Sequence, residues 1–491
     1  MHFGMESARF EVLLGPLLAL ECTRLQIQPL LEQAWIRLQA LRESIVGVRA
    51  QITDAGIASK VQQVQSELMD PATTSLVSVN QTLEEAFQAA CDDANATLDA
   101  VSIRAAQSSV AAISFDFSQA TVLAQEAARL AVAHDEACWV CRVQQAEFLL
   151  DQGREFNDAQ ALEALRELCA QTLLPVAAAN RDAADHAWAY DTLGQALGML
   201  GRSQSFTGTL DESVQAFEAA LKLRDQTQQP YDWAATQNHL GNAIGSLGQR
   251  QHDLELLDRS VVAFGAALEV PVSNTAPEGR ASAQSNLAAV LQTIGQQRKD
   301  AVTLERAIAA YKSALSIWTP DRKPLFWAAT QSNMGAALRV LGAMREDAAL
   351  LEQSVAVYRA ALTARTRERM PEEWARTQND LGAALQALAE LTDDAFLFGQ
   401  AIAAYRDALR EVSADGEPMT WAMRTANLGV ARRKLAEYRL DIDLSRRAIA
   451  DIRMALDVFR GASHAELTSL GLEQLAIAME VNAELEADIQ D

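Results

Sequence analysis

Residues Trp327 to Gly342 read WAATQSNMGAALRVLG. Nearly the same line stands at Trp233 (WAATQNHLGNAIGSLG) and at Trp374 (WARTQNDLGAALQALA), with a weaker copy, WAMRTANLGVARRKLA, at Trp421. Trp327, Trp374 and Trp421 follow one another at a constant 47 residues. A fixed period of this length is the signature of a stacked repeat: one unit cannot bury its own apolar faces, so neighbours cover them.

The register extends outward on both sides. The mid-helix apolar position recurs as Leu193, Leu240, Leu287, Met334, Leu381, Leu428 and Leu475. A small residue follows each time, Gly194, Gly241, Ala288, Gly335, Gly382, Gly429 and Ala476. Gly201, Gly248, Gly295 and Gly342 read as the ends of these helices, where a left-handed cap favours glycine. A polar loop and a second helix come next, with an aromatic line Phe217, Phe264, Tyr311, Tyr358 and Tyr405 that gives way to Ile452. Pro230, Pro277, Pro324, Pro371 and Pro418 then open the next first helix, a position that needs no backbone donor. The expected unit is helix, loop, helix. The expected fold is all-α: a solenoid of stacked antiparallel pairs over 136–461, with one degenerate and six clear repeats. A segment 1–135 lies outside the clear repeat, and 462–491 forms a capping helix rich in glutamate.

Segment 1–135 carries heptad-like apolar seams. One runs from Phe10 through Leu20 to Ile52, a second is Leu76, Val79, Leu83, Ala86 and Ala90, and a third goes from Leu98 through Val101, Ala105, Ser108 and Ala112 to Phe115. Pro16 and Pro29 should kink or divide the first, and Asp54-Ala55-Gly56 reads as its stop. Two arrangements fit these seams: a helical bundle within the chain, or a coiled coil that makes the protein a homodimer.

Composition removes several function classes. The chain has 491 residues and a formal charge of -23, which opposes sequence-independent binding to nucleic acid or anionic lipid. Five scattered cysteines do not make a disulfide framework. Glu6, Glu11 and Glu21 spoil a leader-like reading of the start, and no run reaches the roughly 20 apolar residues of a spanning helix. The expected compartment is the cytoplasm. No phosphate loop, His-Glu-x-x-His or nucleophile elbow occurs, so no enzyme and no cofactor is expected. The set His134, Cys138 and Cys141 reads as one helical stripe spanning roughly 10 Å, too long for one ion. A metal or redox sensor at Cys138 and Cys141 stays a remote alternative to buried, inert thiols.

The first helices carry the more promising polar residues. With the Trp at 0° and roughly 100° per residue, the buried stripe centres near about 330°. Five residues after the Trp the side chain should then point away, at Asn238, Ser285, Ser332, Asn379 and Ala426. One residue on, at the edge, stand His239, Asn286, Asn333, Asp380 and Asn427, and nine after the Trp stand Asn242, Ala289, Ala336 and Ala383. Small side chains flanked by amides suit an extended peptide backbone. The edge asparagines could equally bond the neighbouring repeat. Arg339, Arg376 and Arg433 should face the same groove, a basic patch on an acidic protein that points to an acidic partner segment.

With these residues in view, the chain resembles the tetratricopeptide repeats, of the long bacterial variety that reads W-A-x-T-Q-x-N-L-G. The resemblance covers roughly residues 139–480. It implies a non-enzymatic protein–protein scaffold whose concave side, lined by first helices, holds a peptide. An alternative it also implies is a regulatory subunit for a separately encoded effector, a protease or an NTPase.

Overall fold

The computed structural model describes residues 24–490, apart from 53, 70–74, 93–95, 205–206 and 271–276. Among the described residues there is no β-strand, and no helix is long and apolar enough to cross a membrane. Contacts divide the chain into two compact units, Met1–Val270 and Pro271–Asp491.

The first unit begins with α1 (Arg24–Gln51), α2 (Ala55–Met69), α3 (Leu76–Asp92), α4 (Thr97–Ile113) and α5 (Phe117–Leu130). Helix α1 runs unbroken through Pro29, whereas Phe10 to Leu20, Pro16 and Cys22 lie outside the described residues. The stop read at Asp54 is also a start. The Asp54 carboxylate accepts from the backbone of Gly56 and Ile57 at 2.8 and 2.9 Å, capping α2 in the manner that favours aspartate at a helix N-terminus. The seam of α3 is buried throughout, and with Leu38, Leu41 and Ile45 of α1 it belongs to one core. The seam read on α4 is only the smaller part of that helix's buried surface. Leu98 is exposed, while Ala100, Ile103, Ala106, Gln107 and Val110 are buried as well. Helix α4 packs on α1, α3 and α5, so its apolar residues are not confined to one stripe.

Helices α6 (Asp135–Phe156) and α7 (Ala159–Leu168) form an irregular pair. A π-helical turn, Cys169–Leu173, carries the chain into α8 (Leu174–Asn180). Regular pairs follow: α9 (Ala183–Ser203) with α10 (Gly208–Leu223), and α11 (Pro230–Gln251) with α12 (Leu254–Glu269). The second unit continues with α13 (Pro277–Arg298) and α14 (Ala301–Leu315), α15 (Pro324–Arg345) and α16 (Ala348–Ala364), α17 (Pro371–Thr392) and α18 (Ala395–Ala408), and α19 (Pro418–Arg439) and α20 (Ile442–Gly461). It ends on α21 (Ala465–Gln490). Within each pair the two helices are in extensive contact. This is a tetratricopeptide-like α-solenoid architecture.

The glycines do not cap these helices. The left-handed residue falls four positions later, at His252, Lys299, Glu346, Asp393 and Leu440, with φ of 51 to 57°. Each is followed by an aspartate, Asp253, Asp300, Asp347, Asp394 or Asp441, whose carboxylate accepts from the first turn of the second helix. Gly295 and Gly342 instead lie buried in the last turn, where an added Cβ would come within 2.8 Å of Leu304 and 2.9 Å of Leu351. Their role is close approach of the two helices. The same holds mid-helix. Gly194, Gly241, Gly335 and Gly382 sit beneath the rings of Phe217, Phe264, Tyr358 and Tyr405, and each ring is buried. Beside three of these contacts a serine hydroxyl on the second helix donates to the glycine carbonyl: Ser213 to Gly194, Ser260 to Gly241 and Ser354 to Gly335, each 2.7 Å. Bringing the backbones together thus exposes no unsatisfied donor, because the buried hydroxyl finds an acceptor.

Candidate functional site

From α11 to α19 the first helices present a stripe that is never buried. Counted from the Trp position it comprises the residues two, six, nine, thirteen and sixteen places on, for example Arg376, Asp380, Ala383, Ala387 and Glu390 on α17. The helical wheel placed the middle of this face one residue earlier. Ser332, expected to point outward, is buried; its hydroxyl donates to the Ala328 carbonyl at 3.0 Å. The displacement has a structural cause. Within each unit a first helix touches the first helix of the next repeat as well as its second helices, and the row five after the Trp faces that lateral contact.

In the first unit this lateral contact holds a buried carboxylate. Asp191 of α9 accepts from the Thr236 hydroxyl of α11 at 2.7 Å and from Gln195 Nε2 at 2.8 Å, and its Oδ1 lies 3.3 Å from His239 Nδ1. Arg224, at the end of α10, donates to Thr236 Oγ1 and to the Asp232 carbonyl. Burial pushes the Asp191 carboxyl up, but the His239 bond and charge, Arg224 and the Thr236 bond more than offset it, leaving it below the ordinary carboxylate range. His239 therefore belongs to a bond between repeats. Asn238 and Asn242 are half-buried on the same helix.

In the second unit, Arg365 at the end of α16 is buried. Its Nη1 donates to Ser332 Oγ of α15 at 3.2 Å and to Thr377 Oγ1 of α17 at 3.1 Å. Asn427 of α19 donates to Asn379 Oδ1 at 3.1 Å, and Asn379 Nδ2 lies 3.5 Å from Asp380 Oδ1. The edge asparagine thus bonds the neighbouring repeat, through a side chain rather than the backbone. Asp380 is half-buried, and desolvation raises its pKa, with the Asn379 bond and the charges of Arg339, Arg376 and Arg365 pulling the other way. Arg424, buried and donating to the Ala408 carbonyl at 2.8 Å, also feels the Asp380 and Arg376 charges. Arg339 is half-buried, Arg376 and Asn333 are exposed, and Asn286 is half-buried. Arg433 departs from the reading: it is buried, 3.6 Å from Glu437, instead of facing an open groove. It stands on the lateral side of the helix, twelve after the Trp, and the lateral contact encloses it.

Asp191, Arg224, Arg365, Arg424 and the threonines of the W-A-x-T-Q line were not read as parts of this surface. A signal was present: Arg365 follows Arg224, and Thr377 follows Thr236, by three repeats.

The cysteine set separates. His134 precedes α6 as its cap instead of joining its stripe. The Cys138 thiol points to the Ala128 carbonyl at 3.5 Å. Burial pushes the Cys141 thiol up to about 11 and the Cys169 thiol to about 12, which disfavours the reactive thiolate. Among the described residues no group of three or more His, Cys, Asp or Glu is placed to hold a metal ion.

A family model described as tetratricopeptide repeat matches residues 327–363, the helix pair α15 and α16. The chain contains a tetratricopeptide repeat at this pair. No curated protein matches it. Among solved structures it is similar to BtubC from P. vanneervenii, at 21% identity over 50% of this chain and 91% of that one, with a TM-score of 0.35. It is also similar to the apo form of the quorum sensor NprR from B. thuringiensis, at 10% identity over 88% and 96%, TM-score 0.37. A third is a Rap protein complexed with competence and sporulation factor, at 12% identity over 78% and 99%, TM-score 0.38.

Proposed function

We propose that this repeat protein is a non-enzymatic interaction scaffold that holds an extended acidic segment of a partner protein along the first helices of its second unit. The observation that carries the reading is the gathering of Arg339, Arg365, Arg376 and Arg424 around one carboxylate, Asp380, in a chain with a charge of -23. Arg365 and Arg424 also feel Glu373, Glu417 and Glu372, so the positive character of this face rests on half-buried Arg339 and exposed Arg376, which favour an acidic partner here on a protein that elsewhere repels anions. Exposed Arg376 offers a fork for a carboxylate. The small residues Ala336 and Ala383 leave room beside it for an extended backbone, whose amides the half-buried Asn379 and exposed Asn333 can meet.

The test is affinity capture from the native host with the wild-type chain and with an Arg376→Glu, Asn379→Ala chain whose helicity is checked by circular dichroism. The expected result is that a partner held by the wild type, through a segment rich in Asp and Glu, is lost from the double variant and released from the wild type by salt. Capture of the same partner by both chains overturns the reading.

A further inference from the structure

In each complete pair the first helix has a stripe that its own second helix covers. On α15 this stripe is Met334, Gly335, Leu338 and Gly342, all buried, and on α17 it is Leu381, Gly382, Leu385 and Ala389, again all buried. Helix α21 is in the same register, and the corresponding residues are Leu475, Ala476, Met479 and Ala483, with Leu472 one turn before. Here the stripe stands open. Leu472 is 43% exposed and Met479 48%; Ala476 and Ala483 are exposed and Leu475 is half-buried. The opposite side of α21, Ala478, Val481 and Leu485, is buried, and α21 contacts α20 and α19. The helix is thus docked by one face and presents the other. The sequence reading treated α21 as a polar cap. Glu466, Glu473, Glu480 and Glu484 are exposed and Glu486 is half-buried, but beside them runs an apolar stripe.

The charges at the border select the occupant. Glu473, Glu480 and Glu484 are exposed and share one edge of the stripe at helical spacing. Across the other edge, a cleft of about 320 Å³ between α20 and α21 is lined by Arg446, Ile449, Arg453, Met479 and Asn482. Arg446 there is already committed to Glu486 at 3.1 Å and to Asp443 at 3.8 Å, which leaves Arg453, its Nη2 3.8 Å from Met479 Sδ, as one cation against three glutamates. The acidic edge therefore dominates. A second α21 laid antiparallel on the first would set one glutamate row against the other, a like-charge contact. We infer that the open face of α21 docks an amphipathic helix of another protein that sets a bulky side chain over Ala476 and lysines or arginines against Glu473, Glu480 and Glu484. Its geometry copies what each second helix does inside the chain, where a ring lies over the small residue. This site shares no residue with the acidic-segment site proposed on α15, α17 and α19.

The chain supplies its own probes. The α14 sequence AVTLERAIAAYKSAL sets Arg306 and Lys312 against Glu305, a formal charge of +1, and carries Tyr311, which occupies the position over Ala288. The α10 sequence GTLDESVQAFEAALKL sets Lys222 against Asp211, Glu212 and Glu218, a charge of -2. Each is made as a fluorescein-labelled peptide and titrated with the full chain by fluorescence anisotropy. The expected result is saturable binding of the α14 peptide, at least about tenfold weaker binding of the α10 peptide, and loss of both in an Ala476→Glu chain of unchanged helicity. A Glu473→Lys, Glu480→Lys, Glu484→Lys chain should reverse the preference, and the Arg376→Glu, Asn379→Ala chain should bind the α14 peptide as the wild type does. The inference is overturned by no saturable binding of the α14 peptide, by a preference that survives charge reversal, or by a wild-type self-association in sedimentation equilibrium that Ala476→Glu abolishes.

Discussion

Two junctions between repeats, one in each unit, use the same parts and put the charge in different places. At the junction of α9 with α11, Arg224 reaches Thr236, and Thr236 donates to the buried carboxylate of Asp191. At the junction of α15 with α17, Arg365 reaches Thr377 in the same way, but the row that holds Asp191 holds Ser332, and the carboxylate stands on the partner helix α17 in the row one residue further round, at Asp380, where the first junction has His239. One step along a helix is roughly 100°. That step moves the acid from the enclosed side to the open stripe. The first junction is therefore closed upon itself, with Asp191 held below the ordinary carboxylate range by its donors. The second leaves Asp380 above that range through burial, which Asn379 and the charges of Arg339, Arg376 and Arg365 offset only in part. The same scaffold makes a structural lock in one repeat and a surface with unspent charge in another.

The largest test of this contrast is removal of each acid. Asp191→Ala leaves Thr236, Gln195 and His239 without their buried acceptor and should cost about 3 kcal/mol in urea unfolding. Asp380→Asn keeps the shape and removes a charge that the folded state resists, so it should cost less than about 1 kcal/mol. Equal losses would dissolve the distinction. Next in size, Arg365→Met should cost about 1–3 kcal/mol, because Ser332 and Thr377 lose a shared buried donor.

The pH dependence separates the two acids by sign. Asp191 has a lowered folded pKa. Its stabilisation is present above the unfolded value, about 3.9, and is lost as pH falls through the folded value. Asp380 has a raised folded pKa. Its protonated form is favoured on folding, so stability falls as pH rises from about 3.9 to the folded value. Relative to the wild type, Asp191→Asn should therefore be most costly at neutral pH and least costly in acid. Asp380→Asn should become relatively more favourable as pH rises from about 4. Parallel pH curves for the two variants would contradict the assignment. The smallest effect is expected at Arg376→Met, an exposed position, within about 0.5 kcal/mol in stability, so that any effect on partner capture reads binding alone.

Much of this was legible in the residues. The Trp and Leu-Gly recurrence located the first helices, and the prolines located their starts, because apolar periodicity and a fixed φ are local properties. The left-handed caps were misplaced for a physical reason. A glycine near a helix end can serve conformational freedom or close approach, and the order of residues does not separate the two. At Gly342 the side chain of Leu351 decides the matter. Arg433 was misjudged for a related reason. A wheel drawn for one helix knows its own buried stripe but not the lateral neighbour that encloses a second one.

From its residue order alone this protein is determined to be a stack of helix pairs, with a small residue recurring in the first helices, an aromatic line in the second, and an acidic exterior. Periodicity and composition fix these, and neither needs a partner in space. Only the tertiary structure decided which polar residues lock neighbouring repeats and which stay open, and that the stripe on α21 is uncovered. Exposure is a property of what comes to lie alongside, and residues that lie alongside here, such as Asn379 and Asn427, are a whole repeat apart in the chain.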